Sequence, residues 1–110
     1  MTVDVDANIA SIKNGMAALN QAIPETLKAF GEVGKSVYKD GALSAKTKEM
    51  MAVASAIAAR CEGGIVWHVR GAIRHGMTKP ELEELIGVAV HMGGGPSLTY
   101  GIKALESFEH

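Results

Sequence analysis

SAKTKEMMAVASAIAARCEGGIVWH, residues 44–68, decides the fold. Ser44 is a polar cap, and Met50, Val53 and Ile57 follow it at helical spacing on one face. Met51, Ala52, Ala56 and Ala59 make the other faces nearly as apolar, so this third helix, predicted to run to about Arg60, belongs in a core or between subunits. Gly63 and Gly64 break or bend the chain. A fourth helix then presents Ile65, Val66, Val69, Ala72 and Ile73 on its buried side and stops at Gly76, a left-handed C′ residue.

The same period extends in both directions. Upstream, Ile9, Ile12, Met16, Leu19 and Ile23 form one stripe, and Pro24 suits the first turn of a second helix carrying Leu27, Phe30, Val33 and Val37. Gly31 and Gly34 weaken that helix, and Asp40-Gly41 reads as a turn. Downstream, Thr78 and Glu81 form a capping box for a fifth helix with Leu82, Leu85, Ile86, Ala89 and Val90 on its apolar face. Gly93-Gly94-Gly95-Pro96 ends it and opens a sixth with Leu98, Ile102, Leu105 and Phe108. No sustained period of two marks a strand. The expectation is an all-α, antiparallel bundle of about six helices, with residues 1–110 as one domain.

Composition narrows the function. Of 110 residues, 47% are apolar but only 5% aromatic, so the core is aliphatic and part of the surface is expected to be hidden in a homo-oligomer. A formal charge of −1 with no basic stripe argues against nucleic acid. The longest apolar run, Met50 to Ala59, is about half of a membrane span, and the first residues lack the pattern of a secretory signal. One cysteine excludes an internal disulfide and fits a reducing cytoplasm. No metal-ligand spacing or phosphate-binding loop is present, and no motif implies a cofactor.

The residues with chemical potential cluster where the third and fourth helices meet. Cys61 and His68 lie about two helical turns apart. A helix N-terminus favours the thiolate, a nearby histidine exchanges protons, and Glu62 opposes the anion. A lone cysteine or histidine among apolar helices is also, more often, a packed core residue. Glu49 is the only acid between Asp40 and Glu62. With the chain folding back near residue 62, Glu49 falls about 10 Å along the axis from the level of His68. That offset favours a water relay over direct contact, and an exposed first-turn acid is the competing reading. His91 could border a pocket at the triple glycine, although packing or surface suits it better. His75 sits where a helix end favours a cation, and His110 is terminal. Arg70 and Arg74 read as a solvated face before an anion site, and Trp67 as a packing or interface residue.

These residues resemble the AhpD-like/carboxymuconolactone decarboxylase family. Its pattern is Glu, eleven residues, Cys, two residues, Cys, three residues, His. Here Glu49, Cys61, Gly64 and His68 fall at those four positions, and the similarity, carried by Glu49 to His68 and Met92 to Pro96, spans about residues 43–100. The resemblance implies the family's helical fold, trimers or hexamers, and an alkylhydroperoxidase-type antioxidant activity in which Cys61, His68 and Glu49 would be catalytic. The departure is Gly64, which replaces the family's peroxide-reactive cysteine. What remains is a single-cysteine oxidoreductase that would need an external thiol as reductant. Two alternatives stay open: a decarboxylase-like, non-redox enzyme using His68 with Arg70 or His91, and a non-catalytic oligomeric scaffold.

Overall fold

The computed structural model describes residues 4–110. Six helices follow one another: α1 (Val5–Ala22), α2 (Pro24–Val37), α3 (Ala45–Ala58), α4 (Glu62–Arg74), α5 (Lys79–Gly93) and α6 (Gly95–Glu109). Among the described residues there is no strand, so the all-α expectation holds. No helix among them is long and apolar enough to cross a membrane.

Local chemistry sets the helix ends. Ser44 Oγ accepts the Thr47 N–H to start α3. The Thr78–Glu81 box forms in both directions at the start of α5. Helix α4 ends in a Schellman turn, with Gly76 at φ +93° and Met77 N–H donating to Ala72 C=O at 2.9 Å. Gly94, at φ +71°, is the single residue between α5 and α6.

Helices α3 to α6 build the core. Val53, Ile57, Ile65, Val69, Ala72 and Leu82 are fully enclosed, with Met77, Ala89 and Ala104 beside them. Each fully buried Ile, Leu or Val contributes roughly 1.5–3 kcal/mol. A smaller cluster of Val5, Ile9 and Val66, flanked by Trp67, fixes the start of α1 to α4.

Apolar faces on four helices are less buried than their spacing suggests. Ile73 is exposed, because α4 turns Ile65, Val69 and Ala72 into the core and Val66 toward α1, which leaves position 73 on the outer side. Leu98 and Ile102 are also exposed, since α6 buries its small residues Ser97, Gly101, Ala104 and Ser107 against the body. A Cβ on Gly101 would lie 2.6 Å from Ile86 Cγ2, which shows how closely α6 approaches α5. The stripe on α1 is buried only at its start, and α2 buries no residue at all.

Candidate functional site

The turn between α3 and α4 is three residues long, and it organises the site. Arg60 adopts φ +56°, its N–H donates to Ile57 C=O, and Cys61 N–H donates to Ala56 C=O at 2.9 Å. This is again a Schellman arrangement, with arginine where glycine is usual. Cys61 then caps α4 directly: its Sγ accepts the Gly64 N–H at 3.3 Å. The thiol is exposed and sits at the positive end of α4.

The short turn places Glu49 and His68 in direct contact. Glu49 Oε2 lies 2.8 Å from His68 Nδ1. This replaces the expected water relay. The chain folds back at about residue 60, not 62, so His68 lies level with about residue 52 and Glu49 is one turn away. Gly71 makes the remaining room. A Cβ there would fall 2.7 Å from Glu49 Oε2, so the carboxylate rests where a side chain would otherwise be. Glu49 is buried at 8% exposure, which excludes the exposed-acid reading.

A carboxylate beside Nδ1 selects the Nδ1–H tautomer and leaves Nε2 as the exchanging nitrogen. Tyr38 completes the surroundings, its ring centroid 5.6 Å from that of His68. Partial burial, and secondarily the Glu49 charge, raise the Tyr38 phenol above its ordinary value and hold it protonated.

Two grooves meet at His68. One, of about 650 Å³, runs between the α1–α2 arm and α4; Ile12, Met16, Phe30, Val33 and Trp67 wall it, with Glu49, Tyr38 and His68 at its base. The other, of about 610 Å³, lies over α3 and contains Cys61 with Met51, Ala52, Ser55, Gly64 and His68. Cys61 therefore shares a groove with His68, but its hydrogen-bond donor is the Gly64 amide and not the imidazole.

Glu62, the acid expected to oppose a thiolate, is tied to Lys103 Nζ at 3.1 Å. Lys103 is buried on α6 and also lies 5.6 Å from the Tyr100 ring centroid. Sequence reasoning missed Lys103, Tyr38 and Gly71. Gly71 carried only a weak signal, a glycine in mid-helix at a propensity cost, because Gly15, Gly31, Gly34 and Gly87 are also inside helices and approach nothing.

The remaining polar residues fall elsewhere. Arg70 and Arg74 are exposed and flank a cleft of about 170 Å³ with Lys13, Ile9 and Trp67. His91 is exposed near the end of α5, and His75 is the C-cap of α4. His110 Nε2 lies 3.1 Å from Asp6 Oδ1, tying the chain's end to α1.

Comparison with known proteins places this geometry in context. A curated but uncharacterized protein of Cupriavidus necator is 38% identical over 109 residues, covering 99% of this chain and 96% of that one. Another, described as uncharacterized protein 4 in the cox locus of Paracoccus denitrificans, is 42% identical over 77 residues, 70% of this chain and 69% of its own. A crystal structure of a carboxymuconolactone decarboxylase family protein from Legionella pneumophila superposes with a TM-score of 0.92 at 40% identity, covering 96% of this chain and 94% of that one. A Thermotoga maritima structure shares the fold at 23% identity, with a TM-score of 0.70 over 86% of this chain and 90% of its own. The model of the carboxymuconolactone decarboxylase family matches residues 24–107, from the first residue of α2 almost to the end of α6. The chain thus belongs to the carboxymuconolactone decarboxylase family.

Proposed function

We propose that this protein is a single-cysteine, thiol-dependent peroxide reductase. The observation that supports this reading best is the exposed Cys61 at the α4 N-terminus, in one groove with a His68 held by Glu49. The thiolate would attack the terminal peroxide oxygen. The O–O bond breaks, an S–O bond forms, and the leaving alkoxide takes from Nε2 of His68 the proton that the imidazole had first accepted from the Cys61 thiol, departing as alcohol or water. Cys61 is then a sulfenic acid. One external thiol condenses with it, releasing water, and a second thiol releases the mixed disulfide and regenerates Cys61. Two electrons pass from two thiols to one peroxide. Lys103 supports the scheme by neutralising Glu62 beside the reacting sulfur.

A second reading has its own observation. The larger groove is bordered by His68 and Glu49 but not by Cys61, and its walls are mainly apolar. It suits acid–base chemistry on an apolar substrate, the decarboxylase-like alternative, with Nε2 moving the proton.

One comparison separates the two. Peroxide consumption with excess dithiothreitol is expected to fall at least a hundredfold in Cys61→Ser. The same assay on Gly64→Cys tests the missing partner: a Cβ at position 64 would stand 3.5 Å from Cys61 Cβ, within disulfide range. Peroxide should therefore oxidise that variant to an intramolecular disulfide, with faster turnover. Undiminished peroxide consumption in Cys61→Ser would sink the thiol reading. A lactone-directed activity that survives thiol alkylation but is lost in His68→Gln would establish the second.

A further inference from the structure

We infer that Lys13, Arg70 and Arg74 hold the anionic head of an amphiphilic acid whose apolar chain passes Trp67 and lies in the larger groove toward His68. The first ground is the small cleft itself. It has about 170 Å³, room for one carboxylate or phosphate group, and is lined by Lys13 from α1 and by Arg70 and Arg74 from α4, with Ile9 and Trp67. Among the described residues, none of these three cations has an ion-pair or hydrogen-bond partner. The only acid of α4, Glu62, is tied to Lys103, and Asp6 of α1 meets His110. Arg70 and Arg74 stand at i and i+4, where like charges repel along a helix. The negative end of α4 favours a cation at Arg74, in the last turn. It does not account for Arg70, or for the lysine that α1 brings to the same cleft. An oxyanion between them relieves the repulsion, and two guanidinium forks suit its oxygens.

The second ground is continuity. Trp67 lines both the cleft and the larger groove, and the consecutive α1 residues Lys13 and Ile12 line one each. The groove, of about 650 Å³, has the volume of a small-molecule site, and Ile12, Met16, Phe30 and Val33 make its wall apolar. A wholly apolar ligand would leave the three cations without a counterion. A small inorganic anion would leave the groove unfilled. A ligand with a charged head and an apolar chain satisfies both. An anionic membrane surface would also meet the cations, but they are set in a cleft, and the chain as a whole carries a formal charge of −1.

The third ground is length. Arg70 and Arg74 lie six and ten residues beyond Gly64, about 9–15 Å along the α4 axis. That is roughly seven to twelve bonds of an extended hydrocarbon chain, with C–C bonds of about 1.5 Å in a zigzag. Gly64 borders both grooves that meet at His68, and a Cβ there would stand 3.1 Å from Cys61 Sγ. A group carried that far from the head arrives beside the sulfur and the imidazole. Resting on the thiol reading above, the substrate becomes a long-chain acid with a hydroperoxide in mid-chain, reduced to the hydroxy acid.

Trp67 is the chain's one tryptophan, so its fluorescence reports binding on either side of it. Titrations of the full chain with decanoate, decanol and acetate test the proposal, alongside an Arg70→Gln/Arg74→Gln double variant. Both arginines are exposed, so their replacement leaves the core in place. Decanoate should bind the wild type at least tenfold more tightly than decanol or acetate. In the double variant it should weaken at least tenfold and lose its advantage over decanol. The proposal is overturned by equal affinity for decanoate and decanol, by acetate binding as tightly as decanoate, or by a double variant that keeps the wild-type affinity. A wild type that ignores decanoate overturns it too, including one that cosediments with phosphatidylcholine–phosphatidylglycerol vesicles instead. In turnover of linoleic acid hydroperoxide with dithiothreitol, the double variant should raise KM at least tenfold with kcat retained; an unchanged KM would overturn the substrate assignment. A protein that binds decanoate in this way but consumes no peroxide would leave the site standing and remove only the thiol reading.

Discussion

Leu82 and Leu19 occupy equivalent places in equally regular helical stripes, yet Leu82 is fully enclosed and Leu19 is half exposed. The same contrast separates the α3–α6 body from the α1–α2 arm. In the body, short capped turns fold consecutive helices onto one another, and apolar faces meet within the chain. In the arm, α2 packs on α1, and the stripes of both remain largely open. An apolar stripe therefore marks a face that must be covered, without saying by what.

The largest expected effect tests this contrast directly. In urea denaturation of dilute single chains, Leu82→Ala should cost about 2–5 kcal/mol. Leu19→Ala should cost less than about 1.5 kcal/mol, because half of its side chain is already in water. Equal costs would mean that the arm is as tightly packed as the body.

Next in size is Gly71→Ala, which probes how the body positions the site. Its Cβ would meet the Glu49 carboxylate at 2.7 Å, backed by helix on both sides. Overpacking should cost about 1–3 kcal/mol. Glu49 should also leave His68, detectable as loss of the downfield Nδ1–H proton resonance. A retained resonance would mean that the carboxylate can shift without releasing the imidazole.

The smallest effect is a pH dependence of the tie between α3 and α5. Lys46 Nζ lies 2.7 Å from Glu81 Oε2, and the Lys46 ammonium first, then the Thr78 N–H, push the Glu81 carboxyl down to about 2. A depressed carboxyl stabilises the fold above its ordinary value of 4.5 and loses that contribution as pH falls from 4.5 toward 2. Since the pair is partly exposed, the effect is modest and weakened by salt. Glu81→Gln should flatten the stability profile in that window and leave the arm's hydrogen exchange unchanged.

Much of the fold was legible because it is written locally. The Ser44 cap, the Thr78–Glu81 box, Gly76 at a positive φ and the Gly93–Gly95 break each act within a few residues. The site was legible only as a set of residues. Glu49, Cys61 and His68 stand out by type and spacing, but their contacts depend on how two helices are phased. An error of two residues in the turning point exchanged a direct hydrogen bond for a water relay. Tyr38 and Lys103 reach the site from other helices through tertiary packing, which helical period does not encode. The misplaced faces of α4 and α6 have the same origin: where Gly101 brings α6 against Ile86, small residues face inward and the larger Leu98 and Ile102 are turned out.

The three-residue turn at Ala59-Arg60-Cys61 behaves as a gauge length. Each added or removed helical residue advances α4 by 1.5 Å and rotates it by about 100°. A single insertion there would turn His68 away from Glu49 and swing Gly71 out from under the carboxylate, while the bundle could still close. Surface connections usually absorb changes of length with little consequence. This one does not have that freedom, because the distance it spans also sets the angle at which the imidazole is presented.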